Sequence, residues 1–97
     1  MATILVADDH RQIASVLEEY LRKEGHTPVL AADGVEALAL FEKHKPDAVL
    51  LDVMMPRLDG FAVCREIRKT STVPIIMITA RGEDFERIMG LDIGADD

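Results

Sequence analysis

One short run of residues limits the folds open to this chain more than any other. Four apolar residues, Ala48 to Leu51, lead directly into Asp52, and Pro56 closes the run. A short apolar run between turn residues is typical of a strand buried on both faces, as in a parallel sheet. An unpaired carboxylate is costly to bury, so Asp52 needs either solvent or a counter-charge. The carboxyl end of a strand can offer both, because ligands of open α/β sheets bind in the crevice there.

The rest of the sequence alternates between strand and helix patterns. Strands are predicted over 3–7, 27–32, from 48, and over 73–80, and helices over 10–24, 33–44, 61–69 and 83–93. This alternation predicts parallel pairing with right-handed crossovers, and therefore a doubly wound three-layer α/β sandwich in one domain. In the first helix, the apolar residues at helical spacing, which should face the core, are Ile13, Val16, Leu17, Tyr20 and Leu21.

Polar residues follow several of these strands. Asp8 and Asp9 come after the first strand, Asp52 ends the third, and Thr79 lies near the end of the fourth. Two helices and one strand separate Asp8 from Asp52, so both residues should reach the same edge of the sheet. We therefore expect these four side chains to converge, although they are scattered along the chain.

The expected cluster suggests phosphoryl chemistry with a divalent cation. Crowded carboxylates repel one another, and without a counter-ion at least one would favour its protonated form. Mg²⁺ prefers oxygen ligands and binds through one or two carboxylates together with substrate phosphate. Asp52 would be the nucleophile that forms an acyl phosphate. Thr79 would donate its hydroxyl to a phosphoryl oxygen, and the small Ala80 would leave room for that group.

Composition excludes several other classes of function. The formal charge of −7 argues against direct binding of nucleic acid or an anionic membrane. No apolar run approaches the roughly 20 residues of a membrane span, and no secretory signal follows Met1. Cys64 is the only cysteine, which rules out an intrachain disulfide and favours the cytoplasm.

Together, these segments resemble the receiver domain of bacterial two-component response regulators, chiefly those that carry a winged-helix DNA-binding domain. The matching segments are Ile-Leu-Val-Ala-Asp-Asp9, Ala-Asp-Gly-Val-Glu-Ala37, Leu-Leu-Asp-Val-Met-Met-Pro-Arg-Leu-Asp-Gly60, Val-Pro-Ile-Ile-Met-Ile-Thr-Ala80 and Gly-Leu-Asp-Ile-Gly-Ala-Asp-Asp97. The resemblance implies a flavodoxin-like fold with strand order 2-1-3-4. It also implies a signalling domain rather than an enzyme, with at most weak autophosphorylation and autodephosphorylation.

The same resemblance assigns roles to individual residues. Asp52 would take a phosphoryl group from the phosphohistidine of a histidine kinase. Asp9 would bind Mg²⁺ directly, Asp8 mainly through water, and Met54 through its backbone carbonyl. Thr79 would be the switch hydroxyl that moves toward the phosphoryl group.

The sequence departs from the family pattern near residue 97. The family's fifth strand, its lysine and its fifth helix would follow that point, as would any DNA-binding domain. We therefore expect residues 1–97 to be an incomplete receiver domain with slower phosphoryl chemistry. Its fourth strand would form an exposed edge, which favours a homodimer or a strand swap. The alternative function is a truncated or engineered receiver-derived scaffold without signalling activity.

Two other functions, a phosphatase and a nucleotide-binding protein, fit the sequence less well than a phosphoacceptor does. Haloacid-dehalogenase phosphatases also use a strand-end aspartate with Mg²⁺, but they need a second acid where this chain has Met54. Nucleotide binding favours a glycine-rich first βα turn, and Ala7 to Arg11 contains no glycine. His10 follows the acidic pair, but hard oxygen sites prefer carboxylates, so it is not counted among the expected ligands.

Overall fold

Four parallel strands alternate with three helices in a computed structural model that describes residues 1–78. The strands are β1 (Thr3–Ala7), β2 (Thr27–Ala31), β3 (Ala48–Asp52) and β4 (Ile75–Ile78). The helices are α1 (Arg11–Lys23), α2 (Gly34–His44) and α3 (Gly60–Arg68). All pairings are parallel, and the sheet order is β2-β1-β3-β4. The predicted doubly wound sandwich and its strand order are thus confirmed, while the helix predicted over 83–93 lies outside the described residues.

The core lies between the sheet and the pair of helices α2 and α3, which pack against each other. Strands β1 and β3 run through its centre, and Leu5, Val49 and Leu51 have no exposed surface. Burial of each such side chain contributes about 1.5–3 kcal/mol to folding. The helices supply the opposite wall of this core through Ala37, Phe41, Val63, Cys64 and Ile67. Across residues 1–78, no helix is both long enough and apolar enough to cross a bilayer.

Helix α1 covers the sheet more narrowly than its apolar spacing predicts. Ala14 and Leu21 are buried and Leu17 is half-buried, so the contact face follows the spacing i, i+3, i+7. The prediction of a wider buried face is wrong for three residues, which are exposed: Ile13, Val16 and Tyr20. They lie one position along the helix from the contact face, and the sheet does not reach them.

Local signals explain where helix α2 begins. The Asp33 side chain accepts a hydrogen bond of 2.8 Å from the Glu36 amide, as expected of an N-terminal cap. The Glu36 carboxylate accepts one of 2.7 Å from the amide of Ala32, one residue before the cap. This pair of bonds is close to a capping box, in which an acid three residues after the cap bonds back to the chain before the helix, and it fixes the chain direction after β2.

Gly60, the first residue of α3, lies against the end of β3. A Cβ atom at Gly60 would lie 2.3 Å from the Asp52 carbonyl oxygen and 2.9 Å from the Val53 Cα. The Gly60 amide donates a 3.0 Å hydrogen bond to the Val53 carbonyl. Only glycine allows this approach, which holds the start of α3 against the residue that ends β3.

We predict that Gly60→Ala destabilises the protein by about 2–3 kcal/mol, because backbone atoms cannot move aside as a side chain can. Gly25→Ala is the control, since Gly25 has a φ of +88° but open space around it, and strain alone costs about 1–2 kcal/mol. Urea unfolding measures both. A Gly60→Ala variant as stable as the parent would contradict this packing.

Candidate functional site

The register of the sheet brings the acidic residues to one edge. Ala7 of β1 pairs with Leu51 of β3, so Asp8 and Asp52 are the next residues on adjacent strands. Asp8 extends the ladder, since its amide donates a 3.0 Å hydrogen bond to the Ala31 carbonyl of β2. Both backbone positions are therefore set by the sheet, which makes this edge a rigid place for functional side chains.

Each of the two buried carboxylates has one oxygen held by a nearby backbone amide. Oδ1 of Asp8 accepts a 2.8 Å hydrogen bond from the His10 amide. Oδ1 of Asp52 accepts one of 3.3 Å from the Met54 amide. These local bonds orient both carboxylates toward the same side of the sheet edge.

The second oxygen of Asp52 is buried and has no hydrogen-bond partner among residues 1–78. The side chain is only 5% exposed, yet Oδ2 accepts no bond within the described part of the chain. A buried polar atom without a partner carries a desolvation cost of roughly 1–3 kcal/mol. This oxygen is therefore the strongest sign in residues 1–78 of a ligand that completes the site.

Crowding also changes the acidity of Asp52. Burial, together with the negative charges of Asp8 and then Asp9, raises the pKa of Asp52 from 3.8 to about 6. The Met54 amide opposes this rise because it stabilises the ionised form. Near neutral pH the carboxylate is mostly ionised at an energetic cost, which a cation would remove.

His10 lies over the acidic cluster. Its Nδ1 is 3.2 Å from Oδ1 of Asp8, 3.2 Å from Oδ1 of Asp9 and 3.7 Å from Oδ2 of Asp52. The hydrogen bond with Asp8, followed by the charge of Asp9, raises the pKa of His10. The imidazole thus provides a partial counter-charge from the solvent side.

The cluster has the composition and the spacing of a divalent cation site. One possible ligand atom from each of four residues lies within 4.8 Å of all the others: Asp8, Asp9, His10 and Asp52. Three of these donors are carboxylate oxygens, which hard cations such as Mg²⁺ prefer. The unpartnered Oδ2 of Asp52 supports the same interpretation, because a metal ion would satisfy it.

Not every predicted site residue falls within this cluster. Asp8, Asp9 and Asp52 are brought together, and Met54, which is 55% exposed, donates its amide to Asp52, while its carbonyl stays a predicted ligand. Ile78 pairs with Asp52 across the sheet, but the next two residues in the sequence, Thr79 and Ala80, lie outside the described residues.

His10 is not among the ligands expected from the sequence, yet the structure groups its imidazole with the three carboxylates. It lies two positions after Asp8. Its amide donates a hydrogen bond to the Asp8 side chain, and this turn places the imidazole over the carboxylates. Its position directly after a strand-end acidic pair is the sequence signal, and the preference of hard cations for oxygen ligands argues against it.

Comparison with known proteins relates residues 4–97 to one family. The model of the response regulator receiver domain matches residues 4–97. A probable transcriptional regulator, ycf27, of Guillardia theta is 54% identical over 94 residues, which are 97% of this chain and 37% of the relative. The chain thus spans less than two fifths of that relative's length.

Solved structures give the same relation. A putative response regulator from Chloroflexus aurantiacus is 40% identical, with a TM-score of 0.89 over 99% of this chain and 81% of that one. The BeF3-activated receiver domain of Klebsiella pneumoniae RstA is 32% identical, with a TM-score of 0.87 over 96% and 80% of the two chains.

The pKa of Asp52 sets the direction of a pH effect on stability. Between pH 3.8 and about 6, the folded protein binds more protons than the unfolded chain, in which Asp52 titrates near 3.8. The free energy of unfolding of the metal-free protein therefore falls as pH rises through this window. Above about pH 6 the destabilisation by Asp52 is complete and stays constant.

We predict that Asp52→Asn raises the Tm of the metal-free protein at about pH 8. Removing the ionised carboxylate should gain on the order of 1 kcal/mol after solvent screening, which corresponds to roughly 4–8 °C in a domain of this size. At about pH 5 the difference should shrink, because the parent is then protonated.

Thermal unfolding in a chelator measures this effect. Glu42→Gln is the matched control, because it changes the net charge equally at an exposed position on α2. An Asp52→Asn variant that melts no higher than the parent at the higher pH would contradict the proposed repulsion.

Proposed function

The chain belongs to the response regulator receiver domain family, and from that membership we propose that it is the phosphoacceptor of a two-component phosphorelay. Asp52 would receive a phosphoryl group from the phosphohistidine of a histidine kinase. The observation that carries this proposal is the buried, unpartnered Oδ2 of Asp52 within a cluster of three carboxylates. Such an oxygen is oriented but accepts no hydrogen bond from the described residues, so it stays available as a nucleophile.

The transfer is a simple displacement. The P–N bond of the kinase's phosphohistidine breaks, and its electron pair returns to the imidazole nitrogen. A carboxylate oxygen of Asp52 forms the new P–O bond, which gives an acyl phosphate. The Met54 amide donates to Oδ1, so the carboxylate is oriented before the donor arrives.

Asp8, Asp9 and Asp52, with the backbone carbonyl of Met54, would hold Mg²⁺. The bound cation would supply electrostatic stabilisation of the charge on the phosphoryl oxygens. The chain's own residues keep the site ready for it, because the sheet and the Asp8–His10 turn hold the carboxylates close together despite their repulsion.

Two further roles rest on the family relation and on sequence position. Thr79 follows the residue that pairs with Asp52, so its hydroxyl would donate to a phosphoryl oxygen and act as the switch group. Ala80 would leave space for the phosphoryl group because its side chain is small.

The biological setting follows from the relatives. We propose that this domain controls a transcriptional regulator, with the kinase as its partner, because the curated relatives are described as probable transcriptional regulators. The single cysteine, Cys64, is buried, which suits a reducing cytoplasm. Autophosphorylation from small donors and autodephosphorylation would be weak side activities of the same site.

Self-association through β4 stays a prediction. Among residues 1–78 this strand has β3 as its only neighbour in the sheet, and apolar edges favour pairing with another chain. Light scattering over a concentration series tests this prediction. A monomer at every concentration would count against both the homodimer and the strand swap.

We predict that acetyl phosphate with Mg²⁺ adds one phosphoryl group to the chain, seen as a mass increase of about 80 Da that hydroxylamine removes. Asp52→Asn should abolish this label, because the amide is not a nucleophile. Asp9→Asn should slow labelling by about tenfold or more, since a charged ligand of the cation is lost.

Asp59→Asn is the matched control for labelling. Asp59 caps α3 by accepting a 2.8 Å hydrogen bond from the Ala62 amide, and asparagine caps helices equally well. This variant should label like the parent. Label that persists in Asp52→Asn would contradict the assignment, and failure of the parent to label would favour a scaffold without signalling activity.

A further inference from the structure

The imidazole of His10 occupies the side of the acidic cluster that faces solvent. Its Nδ1 is within 3.7 Å of an oxygen from each of Asp8, Asp9 and Asp52. A cation bound to those oxygens would therefore meet this nitrogen. Two arrangements are open: either Nδ1 joins the coordination sphere, or the side chain, which is 54% exposed, swings away.

Two observations favour coordination. The His10 amide is tied to Oδ1 of Asp8 at 2.8 Å, so the backbone that carries the imidazole is fixed next to the site. Oδ2 of Asp52 is buried and without a partner, and it faces Nδ1 rather than any donor within the described residues. The space between these two atoms is where a ligand would satisfy both.

We propose that His10 is a fourth metal ligand through Nδ1, and that this nitrogen gives the site a preference for first-row transition ions, such as Mn²⁺, over Mg²⁺. This inference rests on the proposed function, because it concerns the cation that the phosphoacceptor site binds. Mg²⁺ bonds poorly to nitrogen and favours an all-oxygen octahedron. Transition ions accept imidazole readily, and carboxylates suit Mn²⁺ as well.

Electron spin echo spectroscopy of bound Mn²⁺ tests the coordination directly, without any measure of phosphorylation. Protein labelled with ¹⁵N only in its histidines should show ¹⁵N coupling to the metal ion. The coupling should disappear in His10→Asn, whose side-chain oxygen replaces Nδ1. It should persist in the control His44→Asn, because His44 is exposed at the end of α2, far along the chain from the cluster.

Calorimetric titration with Mg²⁺ and with Mn²⁺ tests the preference. In His10→Asn the ratio of the two dissociation constants should move toward Mg²⁺ by at least about tenfold, since loss of even an outer partner of a metal ligand costs that much affinity. His44→Asn should leave the ratio unchanged. Asp52→Asn should weaken both ions, which would locate them at this cluster.

The outcomes separate the two proposals. Both ions could bind without histidine coupling, or with the same ratio of dissociation constants in His10→Asn. Either result would mean that His10 does not coordinate the ion, so this inference would be wrong and the proposed phosphoacceptor site would be unaffected. If neither ion binds at millimolar concentration, both proposals fail. Coupling that survives in His10→Asn would assign the nitrogen to another histidine and would also overturn the inference.

Discussion

Repulsion between the carboxylates of Asp8 and Asp52 is the interaction on which the site depends. Both side chains are buried at one edge of the sheet, and the charge of Asp8 adds to burial in raising the pKa of Asp52 to about 6. Two like charges so placed would normally separate or share a proton. Here the backbone does not allow separation, because the residues follow paired positions on adjacent strands. A cation or a protonated group between the two carboxylates would lower this repulsion.

The scaffold that maintains this arrangement is the centre of the sheet. Leu5, Val49 and Leu51 are fully buried, and their burial stabilises the strands far more than the cluster destabilises them. Gly60 adds a second constraint, since its amide donates to the Val53 carbonyl and a side chain there would collide with the Asp52 carbonyl. A stable core thus holds a locally unfavourable group in place, which is a common arrangement at functional sites.

The sequence predicts those parts of the fold that depend on local pattern. The strand endings, the start of the second helix near Asp33 and the gathering of Asp8, Asp9 and Asp52 follow from residue periodicity, turn residues and the parallel crossover rule. The exposure of Val16 and Tyr20 could not be predicted, because apolar spacing gives the direction of a helix face but not the width that a neighbour covers. The place of His10 depends on one side-chain-to-backbone turn at Asp8, which leaves little trace in residue periodicity. The roles of Thr79 and Ala80 rest on sequence position and family relation.

The central claim is that the edge of the sheet at Asp8, Asp9 and Asp52 binds a divalent cation. Crystals soaked in Mn²⁺ test it most directly, because anomalous scattering locates the ion without reference to activity. We expect one strong peak at about 2.2 Å from carboxylate oxygens of Asp9 and Asp52, near the distance that such hard cations adopt. A map with no peak at this edge, or with the ion bound only elsewhere on the surface, would contradict it.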